Sequence, residues 1–154
     1  MSGAASFSIR PLGPADAAAI ARLGGERALW RDWRPAPPAA TGAGREQLAR
    51  VDAADGVIGL LWLDAHGDWL DLCDLIVSPA HRRAGHGGAL LAHAQRRARC
   101  LGALGLTLEV AVDNVAARAL YDQAGFARVH VRPGYYAGRR GPVDALVLSW
   151  RAGP

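Results

Sequence analysis

Val77-Ser78-Pro79-Ala80-His81-Arg82-Arg83-Ala84-Gly85-His86-Gly87-Gly88 is the stretch on which the reading of this 154-residue chain turns. Ahead of it, Trp69–Val77 has the length and composition of a long strand. Behind it, Leu90, Leu91, Ala94, Ala98 and Leu101 recur at helical spacing on one face. A strand therefore ends in a basic, glycine-rich turn that opens a helix. The first N–H groups of a helix have no intrahelical acceptor, and its dipole favours negative charge there. Glycines let a ligand approach the backbone, so the turn suits a phosphate or pyrophosphate. A Walker loop is excluded because the chain has no Lys, and the Gly-x-Gly-x-x-Gly dinucleotide fingerprint is not met by Gly85-His86-Gly87-Gly88. The alternative is a plain glycine-opened helix with exposed arginines.

Working outward, Phe7–Leu12 alternates as a first strand, and Pro14 and Asp16 open a helix with Ile20, Leu23 and Leu29 on one face. Arg34–Gly44 is a Pro/Ala/Gly-rich loop inside the domain, flanked by Trp30 and Trp33. Gln47–Ala53 and Val57–Asp64 form a strand pair around Ala54-Asp55-Gly56, and His66-Gly67-Asp68 turns the chain into the long strand. After the helix, Leu106–Val112 alternates as a strand. Asn114 caps a helix with apolar positions Val115, Ala119 and Leu120, which Gly125 ends. Ala127–Arg132 and Ala145–Trp150 are the last strands. The order predicts one mixed α/β domain over residues 1–154, with about seven strands in a single sheet.

Composition narrows the function. The apolar share is 51%, yet no apolar run reaches the ~20 residues of a membrane helix, and the N-terminus lacks a signal pattern. Cys73 and Cys100 make neither a disulfide framework nor a zinc spacing, and the five histidines are scattered, so no metal is expected. The expectation is a reduced, cytoplasmic protein. Net charge is +4, with all eighteen basic residues Arg, which favours an anionic ligand without naming it. No aromatic-flanked basic stripe or helix-turn-helix spacing points to nucleic acid.

Arg82-Arg83-Ala84-Gly85-His86-Gly87 resembles the Arg/Gln-x-x-Gly-x-Gly/Ala signature of the GCN5-related N-acetyltransferase (GNAT) family. A second segment, Leu108-Glu109-Val110 through Asn114, Ala117, Leu120-Tyr121 to Gly125-Phe126, is similar to the same family's Leu-Glu-Val-x-x-x-Asn-x-x-Ala-x-x-Leu-Tyr-x-x-x-Gly-Phe pattern. Arg132-Pro133-Gly134-Tyr135-Tyr136 followed by Asp144-Ala145 resembles the ending of the ribosomal-protein alanine (RimI-type) acetyltransferases. The resemblance implies a GNAT fold: a mixed, mostly antiparallel sheet of about seven strands flanked by about four helices. It implies acetyl-CoA as cofactor, its pyrophosphate on the backbone of Arg83, Ala84, Gly85, His86, Gly87 and Gly88. Leu75, Ile76 and Val77 would pair with the pantetheine arm, an N–H near Val77 polarising the thioester carbonyl. Tyr135 and Tyr136 would wall the acceptor pocket; the alternative is an aromatic loop packed on the sheet.

Acetyl transfer to an amine needs a neutral amine, a polarised carbonyl and a protonated leaving thiolate. An α-amine has a pKa near 8, so a carboxylate can take its proton, directly or through water. Glu109 is the candidate base, placed by strand alternation opposite Leu108 and Val110; the bland alternative is a solvated strand glutamate. Tyr121 is the candidate acid for the departing sulfur, or else a packing tyrosine. It lies two helical turns beyond Asn114, which can cap the helix and also bond the pantetheine. Asp74, on the long strand, could assist or replace Glu109 and contact substrate. Trp30 and Trp33 could line the site or form a partly exposed core edge. Two positions depart from the RimI-type pattern, Ala111 where Arg is common and Val143 where Glu is common. The expected activity is acetylation of a primary amine, preferably a protein or peptide N-terminus, by a monomer or homodimer. The alternatives are a small-molecule amine acetyltransferase and a non-catalytic CoA-binding module.

Overall fold

The structure, a computed structural model, describes residues 6–25, 27–31, 33, 45–52 and 54–154. The elements run β1 (Phe7–Pro11), α1 (Ala17–Gly24), α2 (Ala28–Arg31), β2 (Arg45–Asp52), β3 (Gly56–His66), β4 (Trp69–Val77), α3 (His86–Cys100), β5 (Gly105–Ala111), α4 (Val115–Gln123), β6 (Ala127–Gly138) and β7 (Gly141–Arg151). The sheet order is β1-β2-β3-β4-β5-β7-β6. The mixed sheet and its element order match the sequence expectation, with β4–β5 the parallel pair. The 34–44 loop lies outside the described residues.

The chain divides into two compact units, Met1–Asp64 with Asp74–Leu90, and Ala65–Cys73 with Leu91–Pro154. In the first unit, β1 pairs antiparallel with β2 and β2 with β3, with a register shift between Arg50 and Val51. Val57, Ile58, Leu60, Leu61, Trp62 and Leu63 are all buried, so β3 reads as a continuous apolar run because both its faces are covered. Ile20 of α1 and both Trp30 and Trp33 are buried, the latter two at 2% and 8% exposure. Trp30 meets Trp62 edge-on with ring centroids 5.1 Å apart. The two tryptophans are therefore core residues rather than exposed edges: a large ring beside a β-strand gains most by full burial. Asp16 stays buried because Arg10 grips it with two hydrogen bonds, at 2.7 and 2.8 Å, and Gly13 N–H adds a third at 2.8 Å.

In the second unit, β4 runs parallel to β5 over Leu70↔Leu106 and Asp71↔Thr107, and β7 pairs antiparallel with both β5 and β6. Leu70, Leu72, Leu91, Ala94, Ala98, Leu106, Leu108, Val110, Tyr121, Phe126, Ala145 and Leu148 are buried there. Three sequence expectations need correction. Leu101 is 40% exposed, at the end of α3, although its N–H still bonds the Arg97 carbonyl at 2.9 Å. On α4, Val115 is 70% exposed and Ala119 is exposed, whereas Tyr121 is buried. The bulkiest ring sets which face of a short helix turns inward, and two small residues do not outweigh it. Finally, Tyr135 and Tyr136 lie on a strand. β6 continues to Gly138 through a register shift between Arg132 and Tyr136. That irregularity absorbs Pro133, which has no N–H to give a ladder, on an edge strand where the loss is tolerated.

Candidate active site

The glycine turn belongs to the first unit. After β4, a 3-10 turn over Pro79–His81 leads to Arg82 in extended conformation. Arg83 follows at φ +64°, the one left-handed non-glycine among the described residues, and then Gly85 at φ +84°. A non-glycine in that region is disfavoured, so the turn is held by its surroundings. The Arg82 Nε–H donates to the Val77 carbonyl at 3.2 Å and ties the turn to the strand end. The backbone ladder of α3 begins with Ala89 N–H on Gly85 C=O at 3.0 Å. The N–H groups of His86, Gly87 and Gly88 precede that bond and have no acceptor within the helix. A Cβ placed on Gly85 or Gly88 would meet no heavy atom within 4 Å, so open space lies against this backbone. The residues thus fit a pyrophosphate, with the basic Arg82 and Arg83 exposed beside it. The His86 ring does not share that outlook, for the residue is 5% exposed and turned into the unit.

Asp74, which the sequence offered as a second base, is fully engaged. Its carboxylate takes Arg27 Nη1 at 2.5 Å, Trp30 Nε1 at 2.8 Å and the Leu75 N–H at 3.0 Å. It braces α2 and its approach against the end of β4, where Leu75, Ile76 and Val77 follow. Only fold-distant partners, forty-four and forty-seven residues away, reveal this, so spacing along the chain held no signal for it.

The second unit carries the side-chain cluster. Glu109 alternates with buried Leu108 and Val110, as the strand pattern required, and its side chain is 26% exposed. Arg132 Nε lies 3.2 Å from Glu109 Oε1. Tyr135 donates its phenol hydrogen to the Glu109 carboxylate; that bond, and the negative charge behind it, lift the Tyr135 phenol above its ordinary pKa. The Arg132 guanidinium also lies over the Tyr135 ring at 5.4 Å, and Tyr135 meets Tyr136 edge-on at 5.0 Å. Behind the cluster, Asp144 Oδ1 accepts the Gly134 N–H at 2.8 Å. Gly134 has φ +61°, the conformation that lets β6 irregularity aim Tyr135 at β5. Arg132 and Asp144 were visible in the sequence as motif letters, yet their roles depend on a hairpin register that no motif states.

Asn114 caps α4 as its position implied, its Oδ1 accepting the Ala117 N–H at 3.2 Å. It remains exposed, while Tyr121 is 7% exposed and packs on Phe126 with centroids 5.7 Å apart. The two helical turns between them therefore do not give them equal access to solvent.

Four similarities place these features among known proteins. Residues 20–126 match the Acetyltransferase (GNAT) family. Over 82 residues the chain is 37% identical to the [ribosomal protein bS18]-alanine N-acetyltransferase of Escherichia coli K12, covering 53% of this chain and 55% of that protein. The chain thus matches about half the length of that curated relative. The crystal structure of the ribosomal-protein-S18-alanine N-acetyltransferase from Escherichia coli superposes with a TM-score of 0.79 at 25% identity, covering 97% of this chain and 96% of that one. An acetyltransferase from Salmonella typhimurium, solved with its cofactor acetyl-CoA, shares the fold at a TM-score of 0.76 and 20% identity, covering 96% and 94% of the two chains. With the family pattern spanning more than half of the chain on this fold, the protein belongs to the GNAT acetyltransferase family.

Proposed function

We propose that this chain, acting as one domain in the cytoplasm, moves the acetyl group of acetyl-CoA directly to the α-amine of a protein or peptide N-terminus. The observation that carries the reading is the Glu109 carboxylate, part-exposed on β5 and oriented by Arg132 and Tyr135. When bound, acetyl-CoA supplies an acyl group activated as a thioester. The N–H groups from Arg83 to Gly88 hold its pyrophosphate, and the backbone of Leu75–Val77 pairs with its pantetheine arm, joined by Asn114. An N–H near Val77 donates to the acyl carbonyl oxygen. Glu109 takes the proton released by the acceptor amine as its nitrogen bonds to the acyl carbon. Tyr121 would supply the phenol proton that the departing sulfur needs. Tyr135 and Tyr136 wall the acceptor, and Asp74 braces the end of β4 through Arg27 and Trp30.

A specific observation favours a second reading, a small-molecule amine as acceptor. Val143 stands opposite Tyr136 in the β6–β7 register, and Ala111 opposite Ala145 in the β5–β7 register. Both departures from the RimI-type pattern thus sit at the same end of these ladders as the tyrosine pair. Mass-detected transfer from acetyl-CoA to a panel of free-N-terminus peptides, polyamines and aminoglycosides separates the two. One acetyl group on a peptide α-amine is the expected result. Labelling of a polyamine or aminoglycoside alone keeps the chemistry and replaces the acceptor, while CoA binding without any transfer means either an acceptor outside the panel or a binding module.

A further inference from the structure

The His86 side chain is a buried imidazole that the chemistry above does not use, at the first residue of the helix that the turn opens. Its ring meets Phe7 of β1 edge-on at 4.6 Å and His81 of the 3-10 turn edge-on at 6.2 Å. Arg50 of β2 lies over the Phe7 ring at 5.0 Å, and its Nε–H points to His86 Nδ1 at 3.5 Å. An Nδ1 that faces an arginine donor must carry a lone pair, which fixes the neutral ring with its hydrogen on Nε2. Asp52, also on β2 and buried, spends its Oδ1 on the N–H groups of Ala54 and Asp55. Asp55 in turn holds His81 Nε2 at 2.8 Å. The charged and titratable groups around the ring are thus Arg50, Asp52 and His81, with Asp55 behind His81.

We propose that His86 is a positioning residue for the acetyl-CoA turn: its neutral ring, seated between Phe7 and Arg50, pins the first turn of α3 to β1 and β2. The proposal rests on the reading of that turn as the acetyl-CoA site. A proton on Nδ1 would replace an acceptor with a donor opposite the Arg50 Nε–H and set two cations side by side. Burial, then Arg50, hold the His86 imidazole below its ordinary pKa. The sign follows: a ring kept neutral by the fold contributes in full above the ordinary histidine value, roughly 6.5, and the contribution is lost as pH falls below it. Acidification should therefore loosen the turn and weaken cofactor binding.

Two measurements on the full chain test this. Titration calorimetry with CoA at pH 7.5 and 5.0, on wild type and His86→Gln, uses a side chain that still accepts from Arg50 but does not titrate. The wild-type Kd should rise about fivefold more than that of the variant across the interval. Imidazole nitrogen NMR of the ligand-free wild type should show Nδ1 unprotonated at pH 7.5 and a midpoint below the ordinary one. Parallel Kd curves for the two proteins, or a ring protonated on Nδ1 at pH 7.5, would overturn the proposal. Wild type that binds no CoA at pH 7.5 would overturn the acetyl-CoA reading instead, and the ring spectrum would still decide the role of His86.

Discussion

The glycine turn after β4 and the cluster on β5 and β6 offer their chemistry in opposite ways. The turn offers backbone: Gly85 and Gly88 face open space, while His86 turns into the core, Arg82 bonds the Val77 carbonyl and Asp74 holds Arg27 and Trp30. The cluster offers side chains, with Glu109, Arg132 and Tyr135 part-exposed and touching one another. Backbone amides recognise a phosphate whatever the neighbouring residues are, so that region can be conserved as a shape. Proton transfer needs a particular functional group within hydrogen-bond reach, so the second region depends on identity at single positions.

Breaking each region should therefore leave a different kinetic signature. Glu109→Gln should lower kcat by about two to three orders of magnitude while CoA binding, measured by calorimetry, stays within twofold. Loss of CoA binding in that variant would erase the division of labour. Tyr121→Phe keeps the ring that packs on Phe126 and should cost about thirtyfold in kcat; wild-type turnover would reduce Tyr121 to a packing residue. Gly85→Ala forces a side chain into φ +84°, a strain of about 1–2 kcal/mol, so the Kd for CoA should rise about tenfold with little change in kcat at saturation. Asp144→Ala removes the acceptor of the Gly134 N–H and should raise the acceptor KM about fivefold, with Asp144→Asn milder, because the contact acts by aiming Tyr135.

The smallest functional effect belongs to Asp16→Asn, which has no part in either chemistry. The Arg10 guanidinium hydrogen-bonded to Asp16 holds its carboxyl below the usual carboxylate range. Its contribution to stability is present above the unfolded value of roughly 4 and is lost as pH falls through and below it. Chemical denaturation should thus show a gap of about 1–2 kcal/mol between wild type and variant at pH 7 that closes toward pH 3, with kcat unaffected. A change in kcat would link this salt bridge to the site.

Much of this was legible in the chain. The long strand, the capping of α4 by Asn114 and the alternation that exposes Glu109 are local properties, set by backbone geometry within a few residues. Periodicity failed where it had few residues to average over: α4 spans nine residues, and a single tyrosine decided which face is buried. It failed again at Tyr135, because a proline and a glycine that read as a loop were accommodated inside a strand.

By itself, then, the sequence determined the element order, the glycine turn, the Glu-bearing strand and the family resemblance, since each is written in neighbouring residues. Tertiary structure alone decided that Asp74 is clamped by Arg27 and Trp30, that Arg132 and Tyr135 meet Glu109, and that Phe7 and Arg50 enclose His86. Each of those contacts joins residues more than twenty positions apart. Their partners are chosen by strand register and by which faces pack, and a linear pattern carries neither.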